Sequence, residues 1–277
     1  MNDSDRNMSP HRLQQFKKEI REYYQNHARD FPWRNTVDPY HILVSEIMLQ
    51  QTQTGRVFEK YERFLSEFPD FYSLARARLQ NVLSIWQGLG YNRRAIALSS
   101  IACQVVSEFD GALPSSEEVL VKFPGIGKAT ASAIAAFAFN KPSIFIETNI
   151  RRVFIHFFFH DRKTVTDAEI LPLISKTLDR SDPRRWYYAL MDYGAMLKKN
   201  VLNPNRKSAH YKIQSRFEGS HRQLRGMVLK EIIATQRGNV SSIAKKIDQS
   251  PDKILEVLSE LQKEGFIKKQ KKGFVIS

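Results

Sequence analysis

Apolar residues recur at helical spacing along most of this chain. Leu13, Phe16, Ile20 and Tyr23 or Tyr24 line one face of a helix over 9–27, the rhythm of an amphipathic element. The turn "DFPWRNTVDP" follows, and 40–54 reads as the next helix. Val57, Tyr61, Phe64 and Leu65 mark the apolar face of another. The same reading predicts helices over 71–76, 79–86, 92–108, 116–121, 128–139, 148–160, 167–178, 183–199 and about 206–214. Ser115 with Glu118, and Thr166 with Glu169, have capping-box spacing. Pro204 and Asn205 break the pattern near the end of this all-α body. No strand pair stands out before residue 220, and no internal repeat is visible.

The last part is patterned differently. "QLRGMVLKEIIATQ", "NVSSIAKKI" and "SPDKILEVLSELQKEG" read as three helices. "FIKKQKKGFVIS" alternates around Lys271, Lys272 and Gly273 as a short hairpin would. Three helices and a hairpin give the winged-helix order, a small α+β module over 218–277. Glu256, Glu260 and Glu264 on its third helix disfavour approach to phosphate, whereas the hairpin lysines favour it. Gripping DNA, packing on the body and binding a protein all remain open roles for it.

With 277 residues the chain is long enough for more than one domain. Its 43 basic and 29 acidic residues give a formal charge of +14. That excess favours a polyanionic partner, nucleic acid or an acidic membrane face, and does not choose between them. No apolar run approaches the ~18 residues of a membrane span, and the polar start "MNDSDRNMSPHRLQQF" lacks an apolar signal core. A soluble intracellular protein is expected. The single cysteine, Cys103, excludes an internal disulfide and any all-cysteine metal or iron–sulfur site within one chain. In "ALSSIACQVV" it is expected in the core.

"LVKFPGIGKATASAIAAFAF", Leu120 to Phe139, is the most informative stretch. A short helix ends, Pro124-Gly125-Ile126-Gly127 turns, and an Ala-rich helix starts near Lys128. Glycines allow close approach of a phosphate, and the amides at a helix start make an anion site. Ile126 would pin the two helices, while Ala131, Ala135 and Ala138 allow close packing. This helix-hairpin-helix pattern is a sequence-independent clamp for a DNA backbone. A P-loop is excluded because its Gly-Lys-Ser/Thr ending is absent.

Six ordered motifs carry a resemblance over about residues 28–200: "FPWR", "PYHILVSEIMLQQTQT", "WQGLGYNRRA", "FPGIGKATASAI", "ETNIRRV" and "ALMDYGAM". Together they resemble the helix-hairpin-helix DNA glycosylase superfamily, and within it the MutY-like, adenine-specific mismatch glycosylases. The resemblance implies two helical lobes flanking a cleft. One lobe would be 31–138 with the hairpin, and the other 1–30 plus 139–215. Glu46 would be the general acid and Glu147, where the family usually has aspartate, the second carboxylate. The two would face each other across a base-sized pocket. Glu147 also reads as a plain N-terminal cap of the helix after it, and both roles are compatible.

The implied chemistry is hydrolysis of an N-glycosidic bond after base flipping. Glu46 could protonate the leaving base if a partly apolar setting (Ile42, Leu43, Ile47, Leu49) raises its pKa. Glu147 could stabilise the cationic sugar. Gln51 and Tyr91 are the wedge and stacking candidates, with Gln50 and Arg94 in support; Tyr91 could instead be core. Pro124, Gly125, Ile126, Gly127, Lys128 and Arg151 complete the candidate DNA contacts, and a monovalent or divalent cation could sit between hairpin and phosphate. Asp192 is expected to cap or orient a helix. Lyase-type relatives carry a Schiff-base lysine where this chain has Ala129, so a monofunctional enzyme is implied.

Two departures stand out. Relatives follow "GAM" with a four-cysteine iron–sulfur site, whereas Leu197, Pro204 and Lys207 stand in those places here. No cofactor is therefore expected. Nothing in the tail resembles the relatives' reader of oxidised guanine, which leaves the target base open. Adenine leads; mispaired thymine or uracil, hypoxanthine, or non-catalytic mismatch binding are the alternatives. Double-stranded DNA is the expected partner, of a monomer in the cytoplasm or nucleoid, or in a nucleus.

Overall fold

A computed structural model describes residues 9–213 and 215–277. Residues 1–8 and 214, which fall in the expected second lobe, lie outside the described set. The described chain is predominantly helical, with one two-stranded antiparallel sheet near its C-terminal end. It divides into two compact units. The first comprises residues 9–43, 115–122 and 126–213; the second comprises 44–114, 123–125 and 215–277.

In the first unit, α1 (Pro10–His27) begins at Ser9, whose hydroxyl accepts from the Arg12 amide at 3.4 Å. Its Phe16 is buried against Phe154, Phe157, Phe158 and Trp186, with ring centroids 5.0–6.0 Å apart. Burying each such aromatic contributes roughly 1.5–3 kcal/mol. Asp192 lies inside a long helix, Pro183–Asn200, so it is an interior ion-pair hub rather than a helix cap. Its buried carboxylate receives Arg29 at 2.6 Å and two nitrogens of Arg34 at 2.8 Å. That ties the "FPWR" turn to the helix.

In the second unit, α2 (Pro39–Leu49, continuing from the first), α3 (Thr54–Glu67), α4 (Phe71–Arg76), α5 (Leu79–Trp86) and α6 (Arg93–Glu108) pack around buried Phe64, Leu83, Trp86 and Leu98. The expected helix over 40–54 stops at Leu49. The carbonyls of Ile47, Met48 and Gln50 accept from Arg94 instead of from amides four residues on. Cys103 is exposed, not in the core. The buried stripe of α6 runs through Ala95, Leu98, Ile101, Ala102 and Val105, and Cys103 points off it. The tail forms α12 (His221–Thr235), α13 (Val240–Ile247) and α14 (Pro251–Lys263), then β1 (Ile267–Gln270) and β2 (Gly273–Ile276) in antiparallel register, with Ile267 opposite Ile276. This is the winged-helix order read from the sequence.

Two other boundaries shift. Ser116, not Ser115, stands at the N-cap of Glu117–Leu120, with its hydroxyl on the Glu118 carboxylate and not on a backbone amide; Ser115 accepts the Lys141 ammonium on its carbonyl at 2.7 Å and its hydroxyl at 3.0 Å. The helix expected over 206–214 is a single 3₁₀ turn, Pro204–Lys207. Its continuation is diverted into pairing with Val165, which donates to Lys207 at 2.8 Å and accepts from Ala209 at 2.9 Å. The Thr166–Glu169 capping box forms as read.

Candidate functional site

The sequence-predicted residues fall into both units. Glu46, Gln50, Gln51, Tyr91, Arg94, Pro124 and Gly125 belong to the second; Ile126, Gly127, Lys128, Glu147 and Arg151 belong to the first.

Glu46 is half-buried on α2, beside buried Ser45 and Ile47. Just beyond it the chain turns left-handed at Gln51, with φ 54°. The "GLGY" loop does the same at Tyr91, with φ 47°. A Cβ makes this region costly, by about 1–3 kcal/mol, and such strain clusters at binding loops. Both residues are exposed, Tyr91 by 39%. They are therefore held in place by their surroundings and not by burial of their own side chains.

Arg94 supplies that hold. It is 8% exposed and donates to the carbonyls of Ile47, Met48, Gln50, Leu89 and Gly90 and to the Thr52 hydroxyl, at 2.6–3.3 Å. Its guanidinium also lies 5.4 Å from the Trp86 ring and 5.5 Å from that of Tyr91. Burial pushes its pKa down to about 10, which still leaves it charged at neutral pH. One buried cation thus joins both left-handed loops. Gln50 extends the arrangement, donating to the Gly125 carbonyl at 3.1 Å.

Gly125 takes φ +76° and is exposed, and a Cβ there would come within 3.2 Å of Ala97. Gly127 caps the helix α8 (Lys128–Phe139; α7 is Glu117–Leu120). Gly127 and Lys128 are exposed, so the amides at this helix start face outward as an anion site requires. Ile126 is buried, as a pin would be.

Glu147 is the N-cap of α9 (Thr148–Phe158). Its Oε1 accepts from the amides of Asn149 at 2.7 Å and Ile150 at 2.9 Å, and Oε2 takes a longer bond, 3.3 Å, from the Asn149 side chain. Caps of this kind are normally Ser, Thr, Asp or Asn. Desolvation pushes the Glu147 pKa above the usual glutamate value, opposed by those amides and by Arg152 and Arg151. Arg151 is engaged by Asp167 through two bonds of 2.7 Å.

Three residues around Glu147 escaped the sequence reading. Asn149 is oriented by Arg152, which donates to its Oδ1 at 2.7 Å and to the Gly194 carbonyl at 2.7 Å. Gly194, on α11 (Pro183–Asn200; α10 is Asp167–Thr177), lies so close that a Cβ would fall 2.4 Å from the Asn149 carbonyl. Asn205 donates to the Thr148 carbonyl at 2.8 Å. The glycine and asparagine types were visible; the pairing is not a matter of sequence spacing. Of the places where cysteines were considered, Leu197 and Pro204 are buried, and the Lys207 ammonium donates to the His160 carbonyl. Among the described residues no group of three or more His, Cys, Asp or Glu gathers as a metal site.

Residues 44–175 match the model of the HhH-GPD superfamily base excision DNA repair proteins. This segment belongs to the HhH-GPD superfamily. The matched span holds both candidate carboxylates, both left-handed loops and the whole hairpin, while Gly194, Asp192 and the C-terminal module lie beyond it.

Adenine DNA glycosylase of Buchnera aphidicola is 35% identical over 187 residues, 66% of this chain and 52% of that protein. The mouse adenine DNA glycosylase is 32% identical over 226 residues, 77% of this chain and 43% of its own length. The chain thus spans about half the length of these curated relatives. Among solved structures, a thermostable thymine-DNA glycosylase superposes with a TM-score of 0.61 at 25% identity, covering 71% of this chain and 92% of that one. An endonuclease III–DNA covalent intermediate superposes at 0.59 with 17% identity, which shows the fold alone, over 76% and 91% of the two chains. No described helix is long and apolar enough to cross a membrane.

Proposed function

We propose that this HhH-GPD protein is a monofunctional DNA glycosylase that removes a mispaired base, adenine first, from duplex DNA. What supports the reading is that Glu46 and Glu147 both lie within the matched span, where the motif resemblance expects the two carboxylates. The names of the sequence relatives supply the base. Glu46 protonates the leaving purine, which would otherwise depart as a poor anion. The sugar left behind is cationic, and Glu147 stabilises it through Oε2, its less committed oxygen. Gln51 and Tyr91 enter the duplex, and Arg94 positions them from beneath instead of touching phosphate. The hairpin amides and Lys128 hold the backbone. With Ala129 in place of a Schiff-base lysine, the product is an intact abasic site.

A second reading is removal of mispaired thymine. It is favoured by the superposition on the thymine-DNA glycosylase, nearly all of which this chain covers. Pyrimidine release depends less on protonation, so Glu46 would matter less.

Labelled duplexes bearing A:G, A:8-oxoguanine, T:G, U:G and hypoxanthine pairs, developed with alkali, test both readings. Adenine release that falls about 10²–10⁴-fold in Glu46→Gln supports the first. Preferred T:G release, insensitive to Glu46→Gln, supports the second. Tight binding with no base release from any duplex would leave a mismatch-binding protein.

A further inference from the structure

Two of the three acids that in the sequence looked unfavourable for phosphate, Glu260 on α14 and Glu264 at its end, are engaged within the chain. Arg93, at the start of α6, donates Nε to Glu264 at 2.8 Å and closes a second contact through Nη2 at 2.7 Å. Arg225 of α12 reaches the same carboxylate at 2.7 Å and also donates to Glu260, which pairs with His221 at 2.9 Å. These partners hold the Glu264 pKa down to about 2. Alongside, α5 packs on α12. Arg222 on α12 donates Nη1 to the Tyr91 hydroxyl at 3.3 Å, while its Nη2 is anchored on the Ser215 carbonyl at 2.8 Å.

Besides the α5 packing, two attachment points on the body, Tyr91 and Arg93, are two residues apart. An exposed tyrosine on a left-handed loop would ordinarily sample several rotamers. Here Arg94 lies against its ring and Arg222 holds its hydroxyl. Fixing a contact residue before binding removes part of the ordering cost of binding. We propose that the C-terminal module is a brace for the Tyr91 loop: Glu264 locks the module to Arg93, and Arg222 sets the tyrosine. Both are positioning residues, and the functional consequence rests on the glycosylase reading above.

The test uses the full chain with Glu264→Ala, Arg222→Ala and Arg222→Lys. Amide hydrogen exchange is followed over 88–94, with α3 as internal reference, and single-turnover base release is measured beside affinity for a duplex carrying an abasic analogue. Exchange over 88–94 rises about tenfold in Glu264→Ala and Arg222→Ala, is partly restored in Arg222→Lys, and is unchanged in α3. Base release slows about five- to tenfold, and affinity for the abasic duplex weakens about two- to fivefold, because the ordering cost returns to the binding step. Unchanged exchange over 88–94 in both alanine variants overturns the brace. So does a rise that is equal in α3, which means general unfolding. Because exchange is read without DNA, a chain that releases no base defeats the glycosylase reading and leaves the brace standing or falling by itself.

Discussion

Arg94 Nη1 donates to the Gln50 carbonyl at 2.6 Å, across 44 residues of sequence. The same side chain holds Gly90, so the loops that present Gln51 and Tyr91 share one buried cation. Lysine keeps the charge but has three donors on one point and cannot reach six acceptors. Arg94→Lys should lose about 2–4 kcal/mol of stability, since buried carbonyls are left unmet. Urea unfolding reads that loss. Base release should fall more than binding does; a variant with wild-type rates and stability would show that the loops hold themselves.

Glu147 predicts a shape for the pH profile. Its folded-state pKa is raised, so the native state holds the proton more tightly than the unfolded chain does. The stability this contributes is present below the unfolded pKa and is lost as pH rises through the folded one. Activity that needs the anion should run oppositely. It should climb with pH through an acid limb lying above the ordinary glutamate range near ~4.3. Glu147→Gln should slow base release by about 10²–10³-fold and abolish that limb. A profile unchanged in the variant would reduce Glu147 to its cap.

Asp192 balances Arg29 and Arg34, of which Arg34 is buried. Asp192→Asn leaves a buried guanidinium without its counter-charge, which should cost about 3–5 kcal/mol. Chemical denaturation measures it directly. A double variant, Asp192→Asn with Arg34→Met, should recover part of the loss, because the orphaned charge goes too.

Gly194→Ala adds one carbon where 2.4 Å separates it from the Asn149 carbonyl. That atom is backbone, so α9 or α11 must shift. The expected result is about 1–3 kcal/mol of destabilisation and a slower chemical step at unchanged duplex affinity. Single-turnover rates at saturating enzyme separate the two effects.

The helices were legible because each buries one stripe: Val57, Tyr61 and Phe64 on α3, or Ile254, Val257, Leu258 and Leu261 on α14. The hairpin was legible because its glycines serve the backbone locally. What the periodicity misplaced were ends decided from far away. Leu49 ends a helix because Arg94 claims the carbonyls of Ile47, Met48 and Gln50 around it, and Ser115 is occupied by Lys141. Cys103 looked internal because its neighbours are apolar, yet the buried stripe lies on another face of the helix. The candidate carboxylates came from motif position, whereas the shell around Glu147 came from α11 and the segment after it, which no local pattern connects to "ETNIRR".

That misplaced cysteine has a practical side. Cys103 is the chain's single thiol, and it lies on the outer face of α6, the helix that begins with Arg93 and Arg94. A maleimide dye would therefore attach at one defined point on the natural sequence. Docking and release of the tail could then be followed by fluorescence without first engineering a label site.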